Sequence, residues 1–173
     1  HFNRAFVDTN FAKAPVKIYR ISELEKLQKK KAKKVLVNIN AEFCNTGRIM
    51  QKTTYLDTSI ADYLNKNFYF VDFYATSKDT IIFKGEKHFN TLINNFPLHT
   101  LAFKITNNRF SLPGVCIMDE QLNTIDVLNF YQSPERLKPI LSFIATDSYK
   151  KKTFNDFMQE YLKKPLVPAS KTK

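Results

Sequence analysis

The spacing of apolar residues changes period repeatedly along this chain, and each change predicts an element. Residues 16–21 (Val-Lys-Ile-Tyr-Arg-Ile) alternate apolar and polar, the pattern of a half-buried strand or an extended lead-in. Ser22 then holds the place of a helix cap. Glu25 sits at the capping-box position, and Leu24 and Leu27 are the apolar marks of a helix that runs into the lysines that follow. Residues 35–39 (Val-Leu-Val-Asn-Ile) form a short apolar run suited to the interior of a sheet. A helix is predicted from Cys44 to about Gln51, and a second over 59–65 with Asp57 as its cap. Asn65-Lys-Asn67 marks a turn into the ring-rich, β-branched strand 68–74.

Beyond that strand, residues 76–90 read as an insertion holding a strand at 80–83 and a turn at Gly85. Leu92, Phe96, Leu101 and Ile105 keep helical spacing, so 91–105 is predicted helical, split or restarted at Pro97. Residues 112–118 and 124–128 are two strands joined by the turn 119–123, which makes a hairpin. Ser133-Pro134-Glu135 places a cap, an N1 proline and an early acid at the start of a helix carrying Leu137, Ile140, Leu141 and Ile144. A last amphipathic stretch covers 154–162. The resulting order, β-α-β-α-β-α-β-β-α, is an α/β sandwich: a mixed sheet with helices on both faces. One domain over 15–163 is expected, with an irregular arm at 1–14, a helical extension near the C-terminus, and a flexible basic tail at 164–173.

Composition narrows the class. Sixteen Phe and eight Tyr against no Trp and three Gly imply a core filled by rings, and no run approaches the roughly 20 apolar residues of a membrane span. The formal net charge is +11, concentrated at Lys29–Lys31, Lys33, Lys34, Lys150–Lys152 and the tail. Lysine-dominated charge without aromatic interleaving gives a diffuse, solubilising field, so no specific nucleic-acid partner is expected. The first residue is His1, so a processed or partial chain is expected, with any signal segment outside it. Two cysteines, Cys44 and Cys116, are too few for a disulfide framework or a zinc site, and no cofactor-binding pattern occurs.

The candidate chemistry lies at Cys44. A thiol opening a helix directly after a buried strand sits among unpaired backbone N–H groups, which stabilise thiolate and make sulfur a nucleophile. The bland alternative is a half-buried cysteine packed in a turn. Cys116 is expected to face the core, on the side of its strand opposite Pro113.

This order, with Ala41-Glu-Phe-Cys-Asn-Thr-Gly-Arg-Ile-Met50 at the strand-to-helix turn and Leu112-Pro113 opening the hairpin, resembles the thioredoxin-like superfamily over residues 16–144. The long segment before Phe68 is similar to exported domains of the thiol-disulfide interchange and cytochrome c biogenesis type. The resemblance implies that Cys44 is the attacking cysteine, that Gly47 stands where the resolving cysteine would be, and that Leu112-Pro113 is the cis-proline site. Phe43, Asn45, Thr46, Leu112 and Pro113 would line the substrate groove. Asn38, six residues before Cys44, falls where thioredoxins commonly carry a buried proton-relaying carboxylate, and an amide cannot titrate.

Two functions follow as expectations. The first is a monothiol protein forming mixed disulfides with protein thiols or disulfides in an exported, periplasmic setting, with nothing local to release them. The second is a non-catalytic module holding an extended peptide, with Cys44 vestigial. On the first, Gly47→Cys should restore turnover. The Gly-Phe-Ser ending of monothiol glutaredoxins is absent after Cys44, so a glutathione or iron–sulfur role is unsupported.

Overall fold

The computed structural model describes residues 15–163, so the arm at 1–14 and the tail at 164–173 fall outside the described residues. Contacts group the described residues into two compact units, divided after Pro134.

The first unit is built on β1 (Lys34–Asn40), whose seven residues are all buried. It lies inside a four-stranded sheet of order β2-β1-β7-β8, with β2 at Phe68–Tyr74, β7 at Gly114–Met118 and β8 at Thr124–Asn129. β1 runs parallel to β2, with Val35 facing Tyr69 and Asn38 facing Asp72, and antiparallel to β7, with Ile39 facing Gly114. A strand flanked on both sides cannot alternate apolar and polar, which is why residues 35–39 read as an almost continuous apolar run.

Alternation along the strands splits the core. Val35, Val37 and Ile39 join Tyr69, Val71, Phe73, Cys116 and Met118 on one face. Leu24 of α1 (Leu24–Lys30) and Leu101, Ala102 and Ile105 of α4 (Thr100–Thr106) complete that cluster. The opposite face carries Asn38 and Phe70, met by Tyr55 at the end of α2 (Asn45–Thr53); the Tyr55 and Phe70 rings lie 4.7 Å apart. The next helix, α3 (Thr58–Asn67), is capped by Asp57, whose carboxylate accepts the Ser59 and Ile60 N–H groups.

Of the two forms expected for residues 16–21, the chain takes the extended lead-in: it makes a single parallel bridge, Ile18 to Phe70, and turns at once into a short 3-10 helix, Ile21–Glu23. That turn is closed by the Glu23 carboxylate accepting the Arg20 N–H at 3.2 Å, so the helix opens ahead of Ser22 and ends at Lys30.

The predicted helix 91–105 is half strand. Asn90–Ile93 (β5) and Phe96–His99 (β6) pair as a hairpin, and only Thr100–Thr106 is helical. Asn94 and Asn95 both take positive φ, 50° and 65°, the two-residue turn that fits strand twist. Pro97 survives on an edge of that ribbon. A similar turn at Lys84 and Gly85 joins β3 (Ile81–Phe83) to β4 (Glu86–His88). The lysine run is also less uniform than its composition implies: Lys34 is buried and bonded to Glu120 at 2.8 Å, and Lys33 reaches the Asn65 carbonyl at 2.9 Å.

The second unit holds α5 (Pro134–Ala145) but for its first residue, and α6 (Phe154–Lys163). Phe143 lies 5.3 Å from Phe154 and 5.1 Å from Phe157, ring contacts that join the two helices. Thr153 caps α6 by accepting the Asp156 N–H at 3.2 Å.

Candidate functional site

The chain leaves the buried end of β1 at Ala41 and enters α2 through Glu42, Phe43 and Cys44. Cys44 is the N-cap: its backbone is extended, and its sulfur accepts the Gly47 N–H at 3.3 Å. The thiol therefore does what Ser or Asp does at other helix starts, taking up one orphan donor with a larger, softer acceptor. Cys44 is half-buried, whereas Glu42, Phe43, Asn45 and Thr46 are exposed. Arg48 braces the turn, donating to the Glu42 carbonyl at 2.7 Å and to the Asn45 side chain.

Gly47 is buried, and its neighbour explains why no side chain stands there. A Cβ on Gly47 would fall 1.9 Å from Asn40 Oδ1 and 2.8 Å from Asn40 Nδ2. Asn40, the last residue of β1, is fully buried; its Oδ1 accepts the Ala41 N–H at 2.9 Å, and its Nδ2 finds no hydrogen-bond partner. The carboxamide of Asn40 thus fills the space that a side chain at 47 would enter. A cysteine at 47 could be seated only after displacing the Asn40 side chain.

Leu112 and Pro113 enter the site from β7. The Leu112–Pro113 peptide is cis, and the Ile39–Gly114 pairing places it at the end of β1 from which the Cys44 turn departs. Pro113 is buried and Leu112 partly so; the Pro113 carbonyl accepts from the Phe130 N–H at 3.0 Å and from the Ser111 hydroxyl at 2.9 Å. Gly114 permits this tight corner, since a Cβ there would meet the Ser111 carbonyl at 2.7 Å. Phe43 is 56% exposed and meets Phe96, 54% exposed, edge to face at 5.8 Å, so the β5–β6 hairpin extends an apolar surface beside Cys44. Glu42 is bonded to the Thr76 hydroxyl, just past the end of β2.

Cys116 is elsewhere. It is fully buried among the core residues of the face opposite α2, its thiol donates to the Ile105 carbonyl at 3.2 Å, and burial pushes it up to about 12.

Sequence reasoning missed one ionisable group. Asn38 is fully buried, donates to Asp72 Oδ1 at 2.8 Å and accepts the Tyr55 hydroxyl at 3.2 Å. Gln51 donates to Asp72 Oδ2 at 2.7 Å. Burial raises the Asp72 carboxyl above its ordinary value, and the two amide donors oppose that rise. A carboxylate therefore does stand beside Asn38, on the neighbouring strand. Its signal was legible as the one acid in an otherwise apolar, aromatic β2. A surface depression of about 800 Å³ along β2, lined by Arg20, Asp72, Tyr74 and Asp79, contains none of Cys44, Gly47, Leu112 or Pro113. Among the described residues no cluster of His, Cys, Asp and Glu could hold a metal ion, and no helix is long and apolar enough to cross a membrane.

No protein-family model and no curated protein matches this sequence. Solved structures do match. A thioredoxin-fold protein from Helicobacter pylori is similar at 17% identity and TM-score 0.55, over 76% of this chain and 81% of that one. DsbH oxidoreductase is similar at 12% identity and TM-score 0.53, over 88% and 96%. A thioredoxin from Thermus thermophilus is similar at 11% identity and TM-score 0.57, over 78% and 90%. These likenesses show a thioredoxin-like fold with a central mixed sheet.

Proposed function

We propose that the chain is a monothiol thioredoxin-fold protein that captures protein thiols or disulfides as mixed disulfides through Cys44. The observation that carries this reading is the Cys44 sulfur at the start of α2, half-buried and accepting the Gly47 N–H, with no second sulfur beside it. In the step proposed, the Cys44 thiolate attacks one sulfur of a partner disulfide. The new S–S bond forms as the old one breaks, and the other partner sulfur leaves as thiolate. Release then needs an external thiol, because position 47 carries none and Cys116 is sealed in the core on the far face. An exported, oxidising compartment is where such a thiol would meet disulfide-bearing partners. The DsbH likeness is the comparison in keeping with that setting.

A second reading, a peptide-binding module with Cys44 vestigial, draws on the exposed Phe43–Phe96 pair. The two separate on one experiment. Incubation with a disulfide-bonded peptide, followed by mass spectrometry, is expected to give one adduct per chain at Cys44 and none in Cys44→Ser. Equal retention of the peptide by both forms without covalent adduct would favour the binding module.

A further inference from the structure

β2 lies at the edge of the four-stranded sheet, and only part of that edge is covered. The lead-in adds to it once: Ile18 bridges Phe70 in parallel, and the Phe70 carbonyl accepts the Tyr19 N–H at 2.8 Å. At Ile21 the chain coils into the 3-10 helix. Backbone groups alternate between the two sides of a strand, so Asp72 and Tyr74 present theirs outward as Phe70 does. The Tyr74 carbonyl is taken by the Ser77 N–H at 2.9 Å. Among the described residues, no group bonds the outward N–H and C=O of Asp72 or the N–H of Tyr74. These groups lie along the depression of about 800 Å³ bounded by residues 18–22, by 71–74 of β2, and by Ser77, Asp79, Thr80 and Ile81. An open row of N–H and C=O groups on a strand edge is the template for another extended backbone.

The side chains around the edge set what that backbone should carry. Val71 and Phe73 share the apolar face with Ile21 and Ile81, so guest residues level with them meet hydrocarbon. Asp72 is on the other face, half-buried beside Asn38 and Gln51. Asp79 adds a second carboxylate to the lining, against the single cation of Arg20. A local excess of acid in a chain of net charge +11 selects a cation. A second copy of the chain fits poorly, because two chains of +11 repel. We infer that the β2 edge at Asp72–Tyr74 docks an extended segment of another protein, with a lysine or arginine level with Asp72 between apolar residues level with Val71 and Phe73. The segment joins the sheet as an added strand. The depression contains none of the residues around Cys44, so docking needs no thiol chemistry and stands apart from the proposed disulfide capture.

The probe is a fluorescein-labelled Val-Lys-Val-Lys-Val peptide, followed by anisotropy and by hydrogen exchange of the Asp72 and Tyr74 amides. In the peptide-free chain both amides are expected to exchange faster than those of Val71 and Phe73, which face β1, and saturating peptide should slow both about tenfold. The glutamate counterpart, Val-Glu-Val-Glu-Val, is expected to bind about tenfold more weakly, against the pull of the overall charge. Asp72→Asn keeps the edge and removes the carboxylate, so it should narrow that preference. Of two further peptides, N-methylated at the valines or at the lysines, at least one should bind about tenfold more weakly, having lost its hydrogen bonds to the edge. Cys44→Ser should bind the probe as the native chain does. The inference is overturned if the probe does not bind, or binds while leaving both amides unprotected. Equal binding of the lysine and glutamate peptides would overturn it, as would equal binding of both N-methylated forms and their parent, or a preference unchanged in a folded Asp72→Asn. Amides already protected in the peptide-free chain, through self-association or through residues 1–14, would also overturn it.

Discussion

Replacing Gly47 by Cys is the natural way to ask whether this site is a two-cysteine site with one sulfur removed. The geometry says that the single change should fail. A Cβ at 47 would overlap Asn40 Oδ1 at 1.9 Å and Asn40 Cγ at 2.6 Å, well inside contact distance. Asn40 is fully buried, so it can yield only by giving up its bond to the Ala41 N–H and pushing on neighbours. The lost bond and the stranded donor cost about 1–3 kcal/mol, and overpacking adds about 1–3 kcal/mol. Gly47→Cys should therefore lose about 2–6 kcal/mol in urea unfolding by the same two contributions, and its introduced sulfur should close a disulfide with Cys44 poorly. Adding Asn40→Ala removes the overlapping atoms and leaves only the Ala41 N–H to be satisfied. The double variant should recover part of the stability and reduce insulin faster than the single one. The assays are urea unfolding, thiol counts after oxidation, and insulin turnover. A single Gly47→Cys with native stability and brisk turnover would refute the assignment of Asn40 as occupant of that space.

Other expectations concern the groups around the site. The folded state raises the Asp72 carboxyl, so below its ordinary value of 3.8 it is protonated folded or unfolded, and as pH rises past 3.8 the folded form keeps its proton longer and loses stability. The stability of Asp72→Asn relative to the native chain should accordingly increase from pH 3.5 to pH 7 in denaturant titrations; a flat difference would contradict the burial assigned to Asp72. His99 has the opposite sign. It is fully buried, its Nδ1 accepts the Leu101 N–H at 3.2 Å, its Nε2 donates to the Asp79 carbonyl at 2.9 Å, and burial lowers its pKa. Stability from that group is present above pH 6.5 and lost as pH falls below it, and His99→Asn, which can still cap α4, should flatten that loss. Tyr55→Phe removes the donor to Asn38 and should cost about 1 kcal/mol in thermal or urea unfolding.

Much of the fold could be read from the chain because the central strands announce themselves. Residues 35–39 and 68–74 are apolar wherever both faces are covered, and Asp57 and Ser133-Pro134 mark their helices by backbone chemistry that acts locally. The β5–β6 hairpin escaped because Leu92, Phe96 and Leu101 fit a helical period by chance, while the deciding signal was the Asn94-Asn95 pair, able to take two positive φ values. At the site, Cys44 and Gly47 could be singled out by spacing. Asn40 could not, because its bearing on Gly47 is set across the turn, and Asp72, though visible as the lone acid of β2, meets its partner Asn38 only through the β1–β2 register. Long-range pairing of that kind leaves no periodic trace in the sequence.

Cys44 is proposed to attack without being able to release its partner by itself, and a time course of mixed-disulfide decay is the decisive test. The reduced chain is mixed with a disulfide-bonded peptide, the adduct at Cys44 is isolated, and its loss is followed by mass spectrometry with and without a small thiol. The adduct is expected to persist until the small thiol is added and then to disappear, returning free Cys44. An adduct that resolves unaided within the folded chain, or one that never forms at Cys44, would contradict it.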